Sequence, residues 1–206
     1  NFTLDMGSLS GNGVFDASYT GGSDTLVIGA LNANTTFSGR LADTTASNQG
    51  NMNLTLVGTG SLTLTAGNSL YTGVTTVESG SLIVGNNAPF GSSTGGALGD
   101  SSSALALGDT NSITNNLNPT LLIGGAFTIG QSLTVGASTA ATTGTYTIGG
   151  STDNNSTFSG NIVLNQNLTI SQVATTNGHS VTISGAISSA SGQGVSLTGP
   201  GNTSLS

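Results

Sequence analysis

Short runs in which apolar and polar residues alternate recur along the chain, separated by glycine-bearing breaks. In Gly58-Thr59-Gly60-Ser61-Leu62-Thr63-Leu64, the two leucines fall on one side and Thr63 and Thr65 on the other, the period of two that a strand imposes. Thr75-Thr76-Val77 and Ser81-Leu82-Ile83-Val84 repeat the pattern after short corners. The same reading predicts strands at Phe2-Thr3-Leu4, Gly13-Val14-Phe15, Thr25-Leu26-Val27-Ile28 and Leu105-Ala106-Leu107. It continues through Thr120-Leu121-Leu122-Ile123, Phe127-Thr128-Ile129, Leu133-Thr134-Val135, Leu168-Thr169-Ile170 and Val181-Thr182-Ile183. No stretch carries a helical period, and evenly spaced strands with turn residues between them predict an all-β protein. Only 86–103 breaks the rhythm, and it reads as an irregular loop excursion.

The order of elements also repeats. Thr25-Leu26-Val27-Ile28-Gly29 and then Asn34-Thr35-Thr36-Phe37-Ser38-Gly39 return as Thr145-Tyr146-Thr147-Ile148-Gly149 and Asn155-Ser156-Thr157-Phe158-Ser159-Gly160. Leu56-Val57-Gly58-Thr59-Gly60 is echoed by Leu197-Thr198-Gly199-Pro200-Gly201, with the intervening distance longer by about twenty residues. Insertion of a whole repeat is what a quasi-one-dimensional stack tolerates.

The stretch from Gly58 to Gly85, with its Tyr71-Thr72-Gly73 corner and the later Ala97-Leu98-Gly99, resembles the autotransporter-associated beta-strand repeat (passenger-associated transport repeat) of bacterial proteins. The match covers about forty residues, with looser echoes elsewhere. The 66–70 corner is one residue longer than the family pattern, and Val74 stands where a second glycine is usual. The resemblance implies a right-handed parallel β-helix, or solenoid, with Gly/Asn/Ser/Thr-rich corners in an exported surface protein. It implies about twenty residues per turn, so the repeat's extra spacing is one added turn. It implies no activity.

Composition narrows the function classes. Charged residues make up 4% of the 206 residues, against roughly 25% in ordinary soluble domains. Arg40 is the one Lys or Arg, His179 the one histidine, and the net charge is -7. Nucleic-acid binding needs clustered Lys and Arg, and docking on anionic membranes needs the same, so neither partner is expected. Without cysteine there is neither a disulfide framework nor a thiolate metal site. No apolar run approaches the roughly 18 residues of a membrane-spanning helix, so no membrane insertion of this segment is expected. The chain begins at Asn1, and we expect a single solenoid segment over 1–206 belonging to a longer precursor.

Candidate chemistry is sparse. His179 lies beside a turn and reads as a solvated or locally hydrogen-bonded loop residue. Asp5, Asp16, Asp24, Asp43, Glu78, Asp100, Asp109 and Asp153 are scattered and read as surface carboxylates, whereas glycoside chemistry needs a converging pair. Gly21-Gly22-Ser23-Asp24-Thr25-Leu26 is too short for a calcium-binding nonapeptide and reads as a turn entering a strand. Asn-x-Ser/Thr triplets begin at Asn34, Asn53, Asn155 and Asn167, as chance produces in so Asn- and Thr-rich a chain. Tyr19, Tyr71 and Tyr146 are sugar-stacking candidates, Tyr71 being better read as corner packing. No catalytic, cofactor-binding or metal residue is assigned.

The sequence reading is therefore a non-catalytic extracellular structural protein, a β-helical stalk or self-assembling fibre subunit associating through its terminal rungs. The alternative is an adhesin passenger that binds host cells, glycans or neighbouring bacteria through 86–103. A β-helical polysaccharide enzyme ranks third, for want of a charged cleft.

Overall fold

The computed structural model describes residues 2–17, 22–43, 51–90, 95–100, 105–173 and 178–206. Its strands are short because every few residues a glycine or asparagine turns the chain onto another face. The first circuit holds β1 (Thr3–Met6) and β2 (Val14–Asp16), and the second β3 (Ser23–Ile28), β4 (Thr35–Phe37) and β5 (Arg40–Ala42). The third holds β6 (Asn51–Leu56) and β7 (Ser61–Leu64), the fourth β8 (Thr75–Val77) and β9 (Ser81–Val84). The fifth holds β10 (Leu105–Leu107), a short helix α1 (Thr110–Thr114), β11 (Thr120–Ile123) and β12 (Thr128–Ile129). The sixth holds β13 (Leu133–Val135), β14 (Tyr146–Gly150) and β15 (Ser156–Phe158). The seventh holds β16 (Ile162–Leu164), β17 (Leu168–Gln172) and β18 (Ser180–Ile183). The eighth closes with β19 (Ile187–Ser189), β20 (Val195–Thr198) and β21 (Asn202–Leu205).

Each strand pairs in parallel with its counterparts one circuit away. The first sheet runs β1-β3-β6-β8-β10-β13-β16-β19, and the second β4-β7-β9-β11-β14-β17-β20. The third face is split into β2-β5 and β12-β15-β18-β21. Between those pieces backbone bonds carry the face: Leu70 donates to Leu41 at 2.9 Å, Asp100 to Tyr71 at 2.9 Å, and Ala88 bridges to Ile129. The protein is thus nearly all-β and built of parallel sheets, in keeping with a parallel β-helix or solenoid.

The period-two pattern becomes a core because the register never slips. Leu4, Leu26, Leu54, Thr75, Leu105, Leu133, Ile162 and Ile187 form one column across the first sheet. Leu62, Leu82, Leu121, Ile148, Ile170 and Leu197 form another across the second. Each fully buried Leu or Ile contributes roughly 1.5–3 kcal/mol, so like stacked on like makes a continuous core without large side chains. A one-residue slip would turn the neighbouring polar set inward. Ser61 pairs with Ser81 twenty residues on, but Ser81 pairs with Thr120 thirty-nine residues on, so the circuits differ in their corners and not in their strands.

The internal repeat maps onto this order one face out of step. Thr25–Ile28 lies in β3 of the first sheet and its copy in β14 of the second; the Phe37 copy moves from β4 of the second sheet to β15 of the third. The longer distance to Gly199 is filled by one further circuit, β16 to β18. The helix departs from the expectation of none. Asp109 caps it, its Oδ1 accepting the Ser112 N–H at 2.9 Å while Ser112 Oγ accepts the Asp109 N–H at 3.0 Å. Five residues are too few to write a 3.6-residue period into a sequence. Of 86–103, residues 91–94 and 101–103 lie outside the described residues, and Ala88, Ala97 and Leu98 are in the core.

Candidate functional site

Among the described residues no group of three or more His, Cys, Asp or Glu is placed to hold a metal, although Asp16 and Asp24 line one hollow at the first circuit. The surface reading fails for Asp43, which is buried. Its Oδ2 accepts the Met52 N–H at 2.9 Å, the Thr72 N–H at 2.8 Å and the Thr72 hydroxyl at 2.9 Å. It lies at a corner, as the sequence indicated, but the backbone of the next circuit folds over it and directs three donors at one oxygen. Glu78 sits beneath α1, accepting from Asn111 Nδ2 at 2.6 Å, and Ser112 Oγ donates to its carbonyl at 2.7 Å. Burial, opposed by the Asn111 bond and reinforced by Asp109, holds its carboxyl above the usual range.

His179 Nδ1 lies 2.9 Å from Asp153 Oδ1, both half-exposed, across one circuit. The adjacent Ser180 Oγ lies 3.5 Å from Thr182 Oγ1. Tyr71 is buried at its corner, its hydroxyl 2.6 Å from Thr75 Oγ1, which lets Thr75 occupy the leucine column as a satisfied polar group. Burial pushes the Tyr71 phenol well up; the Thr75 bond opposes this, and Asp43 adds to it. Tyr146 is equally buried, and its hydroxyl has no partner. Its phenol is raised by burial and then by Asp109. Neither ring can stack on a sugar at the surface, and Tyr19 lies outside the described residues.

The asparagine triplets have a structural use. Asn34 Oδ1 accepts the Ser61 N–H, Asn53 that of Val74, Asn155 that of Ser180 and Asn167 that of Gly194, at 2.8–2.9 Å. Each corner asparagine thus stands in for a backbone carbonyl where the ladder is interrupted. The arrangement is doubled at two sites: Asn32 and Asn34 hold Thr59 and Ser61, and Asn116 and Asn118 hold Thr143 and Thr145. Asn32 and Asn116 are the two non-glycine residues at positive φ, 57° and 53°, among those described. The Asn-x-Asn spacing at 32–34 and 116–118 was visible in the sequence and would have marked both corners.

The 116–118 corner borders a polar recess whose other side is lined by Thr59, the residue that Asn32 holds. Between β8 and β9 the chain turns in three residues, Glu78 to Gly80, whereas the fifth circuit spends 108–119 on the same corner. The short turn requires Gly80, at φ 72°, because a Cβ there would lie 2.6 Å from the Gly60 carbonyl oxygen. A notch of about 500 Å³ is left over it, walled by Thr59 on one side and Asn116, Leu117 and Asn118 on the other, with Ser79 and Ser81 as floor. A second hollow of about 270 Å³ opens at the first circuit between Phe2, Leu4, Phe15 and Leu26, with the carboxylates of Asp16 and Asp24 also in its lining.

No protein-family model, curated protein or solved structure matches the chain.

Proposed function

We propose that this chain is a non-catalytic structural segment of an exported bacterial surface protein, a right-handed parallel β-helix serving as a stalk or self-assembling fibre subunit. The observation that carries the reading is the inward column, Leu or Ile in seven circuits and Thr75 in the fourth, that keeps one register through all eight. Such a column, stapled by corner asparagines, makes a rod whose stiffness comes from repetition. The right hand follows from the strong preference of parallel β connections. Apart from Asp16 and Asp24 at one hollow and Glu78 and Asp109 at α1, the acids lie on separate circuits, which supports reading the rod as structural. Within residues 1–206 the stacks run from β1 to β19, β20 and β21, and parallel stacking of this kind is one that a further copy can extend. The resemblance to autotransporter-associated repeats supports an extracellular or cell-surface location.

Electron microscopy of the purified chain over a range of concentrations tests this. Fibres with subunits joined end to end are expected; rods that stay single at every concentration overturn the fibre form and leave the stalk. A second reading, a surface-binding passenger, is favoured by the polar notch.

A further inference from the structure

We infer that the notch over the fourth circuit is a binding site for a neutral oligosaccharide. This goes beyond the structural role and does not depend on stacking between copies.

The first support is how the recess is made. The third and fourth circuits take this corner in four and three residues, 57–60 and 78–80, whereas the fifth spends 108–119 on it and overhangs them. The result is a recess, open to solvent, beneath the overhang of 116–118, with its polar groups fixed from outside it. Asn116 Oδ1 is held by the Thr143 N–H at 2.7 Å and Asn118 Oδ1 by the Thr145 N–H at 2.8 Å. On the other side the Thr59 N–H is held by Asn32 Oδ1 at 2.8 Å. These bonds preorganise the site, which lowers the ordering cost of binding.

The second support is what the walls leave unused. Among the described residues, the hydroxyls of Thr59, Ser79 and Ser81 and the Nδ2 groups of Asn116 and Asn118 have no hydrogen-bond partner. Three hydroxyls that donate or accept and two amide donors line one recess, with Leu117 as the apolar surface. No charged side chain lines it, and Glu78 beside it is turned away onto Asn111. An anionic or cationic ligand would go unpaired there, and an apolar one would strand the hydroxyls. A neutral polyhydroxylated chain matches both the polarity and the mixed donor–acceptor character.

The test is an amide NMR titration of the 206-residue chain with maltotriose, cellotriose and chitotriose, and with trigalacturonate as the charged control. Saturable shifts confined to Thr59, Ser79, Ser81, Asn116 and Asn118 are expected with at least one neutral trisaccharide, with a Kd on the order of 1 mM. Trigalacturonate should give none. The double variant Thr59→Val, Ser81→Val removes two hydroxyls that hold nothing in the fold. It should keep the remaining spectrum and weaken binding by about fivefold or more. Absence of saturable shifts with all three neutral sugars, shifts centred elsewhere, equal response to trigalacturonate, or undiminished binding by the double variant would each overturn the assignment.

Discussion

Asp43 Oδ2 accepts both the backbone N–H and the hydroxyl of Thr72, twenty-nine residues and one circuit away. With the Met52 N–H, one carboxylate oxygen closes three donors at a corner where the third face has no regular strand. Asp43→Ala leaves buried donors unpaired, at about 1–3 kcal/mol for each fully desolvated group, so a loss of about 3 kcal/mol is expected in urea unfolding. Asp43→Asn keeps an acceptor oxygen and should lose distinctly less. Equal losses would mean that charge, not acceptor geometry, matters there.

Two buried tyrosines should respond in opposite ways to loss of their hydroxyls. Tyr71→Phe removes the 2.6 Å bond and strands Thr75 Oγ1 in the apolar column, for an expected cost of about 1–2 kcal/mol. Tyr146→Phe removes a hydroxyl that has no partner and should be neutral or stabilising. Thermal unfolding of the pair checks this, and a destabilised Tyr146→Phe would reveal a partner for that hydroxyl.

Gln131 is a sharper case of the same kind. It is buried at the corner between β12 and β13, and neither Oε1 nor Nε2 has a partner. Gln131→Met, nearly isosteric and apolar, should raise stability by on the order of 1 kcal/mol. A fall in melting temperature would show that the amide is hydrogen-bonded in solution.

The strands were legible because inward leucines such as Leu62 and Leu82 keep the period of two, and the extra circuit because a stack repeats. Which face each strand joins was not, since all faces share that alternation: Thr25–Ile28 and its later copy look alike and lie in different sheets. Asp43 was misread because its burial by a neighbouring circuit depends on residues nine and twenty-nine positions away. The notch was invisible for a related reason. It is defined by a turn that is short only in comparison with the 108–119 corner, its neighbour in space. The asparagine staples were on the page as Asn-x-Asn pairs, but chance abundance of asparagine hid them.

Glu78 gives a pH dependence with a definite sign. Its folded pKa lies above the ordinary glutamate value, chiefly through burial, so the folded chain binds its proton more tightly than the unfolded chain does. The stabilisation from that proton is fully present below the unfolded pKa and is lost as pH rises through the folded one. Glu78→Gln keeps an oxygen for Asn111 and never ionises. The variant and the wild type should therefore have similar melting temperatures near about pH 4, with the variant higher by about pH 7. A gap that does not change with pH would assign the effect to packing against α1.

The proposed end-to-end association predicts a definite register. Asp5, Val27, Thr55, Thr76, Ala106, Thr134, Val163 and Ser188 form the outward column beside the leucine column, from first circuit to last. A second copy that continues the sheet head to tail places its Asp5 beside Ser188 and its Leu4 on Ile187. Residues 180–206 carry no charge, whereas the first circuit carries Asp5 and Asp16, so head-to-head contact sets carboxylates against each other. Neighbouring strands lie about 4.8 Å apart, within the roughly 4.4–6.8 Å Cα separation of a disulfide. The chain has no cysteine of its own, which leaves the readout clean. Oxidising a mixture of Asp5→Cys and Ser188→Cys chains should give a mixed dimer, and a chain carrying both should give a covalent ladder. Fibres without the mixed crosslink would keep the assembly and reject this register. Homodimers of Ser188→Cys alone would make the contact tail to tail. Chains that form neither fibres nor crosslinks would leave the stalk as the rod's use.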